Sequence, residues 1–152
     1  MKNNNLALLR EFVSMTIDES NIPEGAGIIV VKKIPGSGWK VLALKCHDGT
    51  LDIPKGGIDP GENAFQAAVR ETDEESNITQ LNFEWGMQPI IFSKLTCYVA
   101  STNQVPTIKK NPHTNVFEHS GFLWVSWSDM IAGTKSYLKP CIAWAMGVVE
   151  HV

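Results

Sequence analysis

The segment Pro54–Ser76, PKGGIDPGENAFQAAVRETDEES, constrains the fold more than any other part of the chain. A glycine-rich loop runs without a linker into an alanine-rich helix that carries Glu71, Glu74 and Glu75 within little more than one turn. Like charges three and four residues apart repel one another on a helix surface. A chain accepts that cost more readily when something cationic sits among the carboxylates. Hard cations take oxygen ligands, and magnesium is usually held by one or two carboxylates, with waters and phosphate oxygens completing an octahedron. Glu71 and Glu75, helped by a backbone carbonyl from the loop at Gly56, fit that description. A plain solvated acidic face is the competing reading. Arg70 lies beside them and would orient or neutralise a carboxylate, with Glu62 its natural partner.

The helix is predicted over residues 63–76. Ala64, Ala67 and Ala68 are strong formers, and Glu62 stands near the positive end of the dipole. Successive residues turn by about 100°, so Glu71 and Glu75 project together, with Glu74 at the flank and Asp73 on the far side. Ala64, Ala67 and Ala68 share the stripe of Glu71 and Glu75. They are expected to floor an acidic working face that the loop approaches. Phe65, Val69 and Thr72 form a separate stripe expected to pack on a sheet.

Strand-like runs bracket this helix. GAGIIVVKK (residues 25–33), the turn PGSG and WKVLALK (residues 39–45) read as a hairpin, and LDI (residues 51–53) as a short strand feeding the loop. Residues 81–100 are aromatic and β-branched and suit one or two strands. Residues 103–120 are polar and proline-broken, a loop with room for one edge strand. GFLWVSW is a further strand, running into a capped segment where Ser126 and Ser128 compete as N-cap. A last helix begins near Pro140, a good first-turn proline, with Ile142, Met146 and Val149 on one face. Strands before, between and after helices give an α/β or α+β sandwich with a mixed sheet. Residues 1–22 are a weakly amphipathic lead, with Leu6, Leu9 and Val13 at helical spacing, or an edge strand.

The length of 152 residues fits one domain with one proper core. A net charge of −3 gives no non-specific attraction to nucleic acid or anionic membrane, so an anionic substrate needs local cations or a metal. No run of residues is apolar enough for a bilayer span or a signal segment. Cys46, Cys97 and Cys141 are odd in number, widely spaced and free of zinc-like pairing, which points to free thiols in the cytosol.

Gly56, Glu62 after five residues, Arg70-Glu71 after seven more, Glu74-Glu75 and Ile78 together resemble the motif of the Nudix hydrolase family. Thr72 replaces an aliphatic residue and can still pack its methyl group. Asn77 replaces the closing glycine and is the next-best residue for that left-handed position. The resemblance implies an α/β/α sandwich around a mixed sheet from about Pro23 onward. It implies magnesium- or manganese-dependent hydrolysis of a nucleoside diphosphate linked to another group. It puts Glu71, Glu74 and Glu75 on the metals, two or more with substrate, and has Glu62 supporting Arg70. Lys55 is expected either to stabilise the transferring phosphoryl group or to be a solvated loop lysine.

DIPKGGIDPGE with RETDEE, and FEHSGFLWVSWSDM further on, are similar to the diadenosine polyphosphate hydrolase group. That likeness implies a loop glutamate at Glu118 as base or extra metal ligand. It also implies an aromatic at Phe122 that stacks the adenine, the alternative for Phe122 being a buried strand residue. His119 is placed next to Glu118, where a proton shuttle is conceivable, but the solvated reading is favoured, as for His47, His113 and His151. Trp124 and Trp127 read as packing residues. Relatives with the same motif act on dinucleotide cofactors, ADP-ribose, nucleoside triphosphates or RNA 5′ ends. RNA is disfavoured for want of a basic stripe. A module that senses a nucleotide without cleaving it is the non-enzymatic alternative. Such modules usually lose a motif glutamate, and all are present here.

Overall fold

The computed structural model describes residues 23–151. The reading of residues 1–22 as a helical or strand-like lead lies outside them. The hairpin forms as expected from β1 (Gly25–Ile34) and β2 (Gly38–Cys46). Two short strands follow, β3 (Leu51–Asp52) and β4 (Lys55–Gly57), and then helix α1 (Ala64–Ser76). Residues 81–100 give β5 (Ile90–Phe92) and β6 (Leu95–Ser101), while 81–89 pair only through an Asn82–Ser101 bridge. Residues 102–118 contain no strand; the room left there for an edge strand is not used. The chain closes with β7 (His119–Val125), α2 (Trp127–Gly133) and α3 (Lys139–Glu150). Ser126, not Ser128, caps α2, its Oγ accepting from the Asp129 N–H at 3.1 Å.

The strands form one mixed seven-stranded sheet, ordered β3-β2-β1-β6-β5, with β4 on β1 and β7 on β2. Among the pairings of the described strands, only β1–β6 is parallel. A strand at the centre of such a sheet must be apolar on both faces. β1 meets this by alternation: Ala26, Ile28 and Val30 join Leu42, Leu44, Tyr98 and α1 on one side. Ile29 and Val31 join Val41, Ala43, Met130 and Ile142 on the other, under α2 and α3. The result is the three-layered α/β architecture expected from the motif.

The helix surface is divided differently from the expectation. Ala67, Ala68 and Thr72 are all wholly buried, and Phe65 and Val69 also pack against the cluster beneath α1. The alanines are therefore part of the sheet-facing surface and not the floor of a separate acidic face. Their small size lets α1 lie close to β1, and the stripe continues into Glu75, which is carried inward to 8% exposure. Thr72 tolerates burial because its hydroxyl donates to the Ala68 carbonyl at 2.7 Å.

Candidate active site

Both ends of α1 are fixed by local chemistry. Asn63 accepts from the Gln66 N–H at 2.8 Å, and the Gln66 side chain accepts from the Asn63 N–H at 2.9 Å, a reciprocal capping box. At the other end Asn77 takes the left-handed conformation (φ 61°, ψ 15°), and its N–H reaches the Asp73 carbonyl. Asparagine thus does the work of the motif's closing glycine. Between these caps the glutamates are held at set angles to the preceding loop.

Gly56 is what brings loop and helix into contact. A Cβ added there would fall on the carboxylate of Glu71, so only glycine leaves room for that group against the loop backbone. Arg70 ties the rest together. Its guanidinium donates to Glu62 (Nη2 to Oε1, 2.7 Å), Glu71 (2.9 Å), Glu74 (3.1 Å) and the Gly57 carbonyl (2.8 Å). Asp59 stands 3.5 Å away. Glu62 also accepts from the Asp59 N–H at 2.8 Å. The Glu62 hydrogen bonds make Arg70 more basic than a free guanidinium, and Arg70 in turn holds the Glu62 carboxyl below the usual range.

Glu71 and Glu75 behave differently from Glu62. Burial pushes Glu71 up, with Arg70 opposing it. Burial pushes Glu75 up to about 9, reinforced by the charges of Asp52 and Glu71. Its Oε2 is buried and has no hydrogen-bond partner among the described residues. An unpartnered buried carboxylate oxygen costs free energy that a native fold seldom leaves uncompensated.

His119 corrects the expectation of a solvated loop histidine. It opens β7 opposite Cys46 and is only 5% exposed, whereas His47, His113 and His151 are exposed as expected. Its Nε2 lies 3.1 Å from Asp52 Oδ2, and its Nδ1 faces Glu75 Oε2 at 4.0 Å. Asp52 also pairs with Lys55 at 3.2 Å, and the Lys55 ammonium sits 5.7 Å from the Tyr137 ring centroid. Burial works against the Asp52 charge, but His119 and Lys55 outweigh it and leave its carboxyl below the usual range. Burial likewise works against Lys55, and Asp52 and Tyr137 more than restore its basicity.

Glu118 is exposed, its Oε1 accepting from Asn111 Nδ2 at 2.7 Å, and it reaches the same place. Ligand atoms of Glu75, Glu118 and His119 all lie within 4.8 Å of one another. Glu71, Glu74, Glu75, Glu118, His119, Asn111 and Lys109 surround a gap of about 10 Å³, room for roughly one water or ion. The donor set is mostly carboxylate oxygen, the chemistry magnesium and manganese prefer. Together with the orphaned Glu75 oxygen, it fits a divalent cation.

Lys55 and Phe122 stand outside this gap. Lys55 lines a neighbouring open cleft of about 330 Å³ with Gly56, Gly57, Lys94 and Tyr137. Phe122 is half-buried opposite Leu44 and packs on the cluster beneath α1. A larger cleft of about 640 Å³ lies at the other end of the β1–β2 hairpin among Trp39, Trp85 and Trp127. Its two carboxylates are engaged internally, Glu84 by Ser101 and Glu150 by Trp127. Sequence reasoning missed Asp52, whose signal is a lone Asp in an apolar strand three residues before Lys55, and set His119 aside as solvated although it adjoins Glu118.

The chain is similar to two curated proteins named asymmetrical bis(5′-nucleosyl)-tetraphosphatase. The one from Caenorhabditis elegans is 38% identical over 60 residues, 39% of this chain and 44% of the relative. The one from Rattus norvegicus is 39% identical over 51 residues, 32% of this chain and 35% of the relative. The chain therefore matches less than half the length of these relatives. A solved binary complex of the C. elegans Ap4A hydrolase superposes with a TM-score of 0.69 at 23% identity, covering 85% of this chain and all of that one. The NUDIX domain of Shewanella oneidensis NrtR, complexed with ADP ribose, superposes at 0.59 with 14% identity over 93% and 97% of the two chains. At such identities the superpositions speak for the fold. A family model, the NUDIX domain, matches residues 22–145, and on that match the chain belongs to the Nudix family.

Proposed function

We propose that the chain is a divalent-cation-dependent hydrolase that cleaves the pyrophosphate linkage of dinucleoside polyphosphates or of other nucleoside diphosphates linked to a further group. One observation carries the reading: the buried, unpartnered oxygen of Glu75 beside Glu71, Glu118 and His119 around a gap of ionic size. Glu71, Glu74 and Glu75, with the Gly56 carbonyl, hold magnesium or manganese. When bound, the cations supply the positive charge that a polyphosphate requires and make a water acidic enough to attack at neutral pH. Two or more are needed with substrate, because the carboxylates and the phosphates are both strongly anionic.

The chain's own residues do the remaining work. Arg70 spends its hydrogen bonds on carboxylates and the Gly57 carbonyl, so it positions Glu71 and Glu74, with Glu62 holding it in turn. Glu118, exposed and oriented by Asn111, takes a proton from the attacking water or adds a ligand oxygen. Lys55 and Lys94, on the cleft beside Gly56, meet phosphate oxygens. The exposed part of Phe122 offers a face for a base, which gives affinity more than selectivity.

The dinucleoside polyphosphate reading is supported by the motif flanks and by the named relatives, which match over 60 and 51 residues. ADP-ribose is the second reading, favoured by the neighbour that holds it. RNA ends stand behind both, since a net charge of −3 with no basic stripe does not attract nucleic acid. A nucleotide-sensing module without turnover stands further back, because the motif's acids are all retained. No described helix is long and apolar enough to cross a membrane, and a cytoplasmic location is the reading consistent with three free cysteines. Glu75→Gln keeps the shape and removes the charge. Turnover with magnesium is expected to fall at least 100-fold; full turnover would remove Glu75 from the cation site.

A further inference from the structure

From the pairing of Asp52 with His119, and the placing of His119 Nδ1 against Glu75 and Glu118, we infer that His119 is a nitrogen ligand of a cation at this site and that Asp52 is its positioning residue. The inference deepens the proposed function and rests on its claim that a divalent cation binds here.

A carboxylate can only accept hydrogen bonds, so at 3.1 Å His119 Nε2 is the donor to Asp52. In the neutral ring, Nδ1 then carries the lone pair. It faces Glu75 Oε2 at 4.0 Å, itself unpartnered, inside the cluster completed by Glu118. Ligand atoms about 2.1 Å from one cation stand roughly 3.0–3.5 Å apart. Closing the observed separation therefore takes a shift of less than about an ångström. Glu118 is exposed and turns inward by giving up its hydrogen bond from Asn111.

The rest of the arrangement has the form that metal-binding histidines require. A ligating histidine almost always donates its other ring N–H to a carboxylate or carbonyl, which fixes the tautomer and raises the basicity of the ligating nitrogen. Asp52 makes that bond. Lys55 holds the same carboxylate, its Nζ 3.2 Å from Asp52 Oδ1 and 3.3 Å from Oδ2. A histidine serving only to fill space would not need so constrained a partner.

An imidazole ligand changes which cation is preferred. Magnesium favours oxygen donors throughout, whereas imidazole suits first-row transition metals, with affinities rising from manganese onward. The site is thereby tuned toward manganese and its heavier neighbours.

The test uses the whole protein loaded with Mn²⁺ and read by electron spin-echo modulation, which detects a directly bound imidazole nitrogen. Titration calorimetry with Mn²⁺ and with Mg²⁺ accompanies it, on wild type, His119→Asn and Asp52→Asn. Nitrogen modulation is expected in wild type and absent in His119→Asn. Mn²⁺ affinity should fall tenfold or more in His119→Asn and severalfold in Asp52→Asn, with Mg²⁺ affinity changing less than about threefold. Mn²⁺ bound to wild type with no nitrogen modulation overturns the inference and leaves the cation site of the proposed function intact. No Mn²⁺ or Mg²⁺ binding by wild type, with or without a non-hydrolysable nucleotide, overturns both. Should His119→Asn fail to fold by circular dichroism, the wild-type spectrum decides alone.

Discussion

Glu75 is expected to destabilise the metal-free protein, and replacing it should reveal by how much. Its carboxyl is held at about 9 in the fold against an ordinary value of 4.5. The folded state therefore binds the proton more tightly, and stability due to this group is full below pH 4.5 and lost as pH rises toward 9. At pH 7 the gap already traversed is 7 minus 4.5. At about 1.4 kcal/mol per pH unit, this makes an upper value of roughly 3 kcal/mol. Glu75→Gln removes that term. In EDTA at pH 7 the variant should melt higher than wild type by up to about 6–12 °C for a domain of this size, and the two should converge near pH 4.5. Mn²⁺ at 1,000 times its Kd should reverse the order, because it stabilises the protein that binds it by about 4.1 kcal/mol. Thermal melts across pH 4–8, with EDTA and with Mn²⁺, read both effects. If Glu75→Gln melts at or below wild type throughout pH 7–8 in EDTA, Glu75 is not a buried, uncompensated carboxyl and the argument fails.

Gly56→Ala should keep the far-ultraviolet spectrum but lower turnover about 100-fold and weaken cation binding, because the new Cβ displaces the Glu71 carboxylate; calorimetry and initial rates check this. Arg70→Lys retains a charge but not the fork that binds Glu62, Glu71 and Glu74 together, and should cost turnover at least tenfold where a surface arginine would cost nothing. Asn77→Val should destabilise by about 1–2 kcal/mol in urea titrations, since a β-branched residue resists the left-handed conformation, while Asn77→Gly should be neutral or better. Asn63→Ala should cost about 1 kcal/mol by removing the cap.

What could be read in advance was whatever depends on local spacing. The hairpin, the limits of α1, the Arg70–Glu62 partnership and the left-handed Asn77 follow from neighbours in sequence. What could not be read depends on how distant strands register. Whether α1 turns its alanines toward solvent or toward β1 is decided by the sheet it meets, and both faces of this helix carry small or apolar residues. His119 looks like any histidine in a polar loop until β7 pairs with β2 and brings it opposite Cys46, within reach of Asp52. The β5–β6 turn was equally hidden. Ser93 and Lys94 both take positive φ there, 51° and 66°, without the glycine or asparagine that usually announces such a turn. The weight of the site thus rests on a motif legible residue by residue, joined to a pairing of half-buried Asp52 with buried His119 that only the folded sheet assembles.

The central claim is cation-dependent cleavage of a dinucleoside polyphosphate. It is tested most directly by incubating the purified chain with diadenosine tetraphosphate and either Mg²⁺ or Mn²⁺, and separating the products. ADP-ribose and triphosphate-ended RNA serve as parallel substrates. The expected result is cleavage to mononucleotides, either ATP with AMP in equal amounts or ADP alone, abolished by EDTA and by Glu75→Gln, with slower turnover of the other two. Nucleotide bound tightly with no product from any substrate, at any cation concentration, would contradict the account and leave a sensing module in its place.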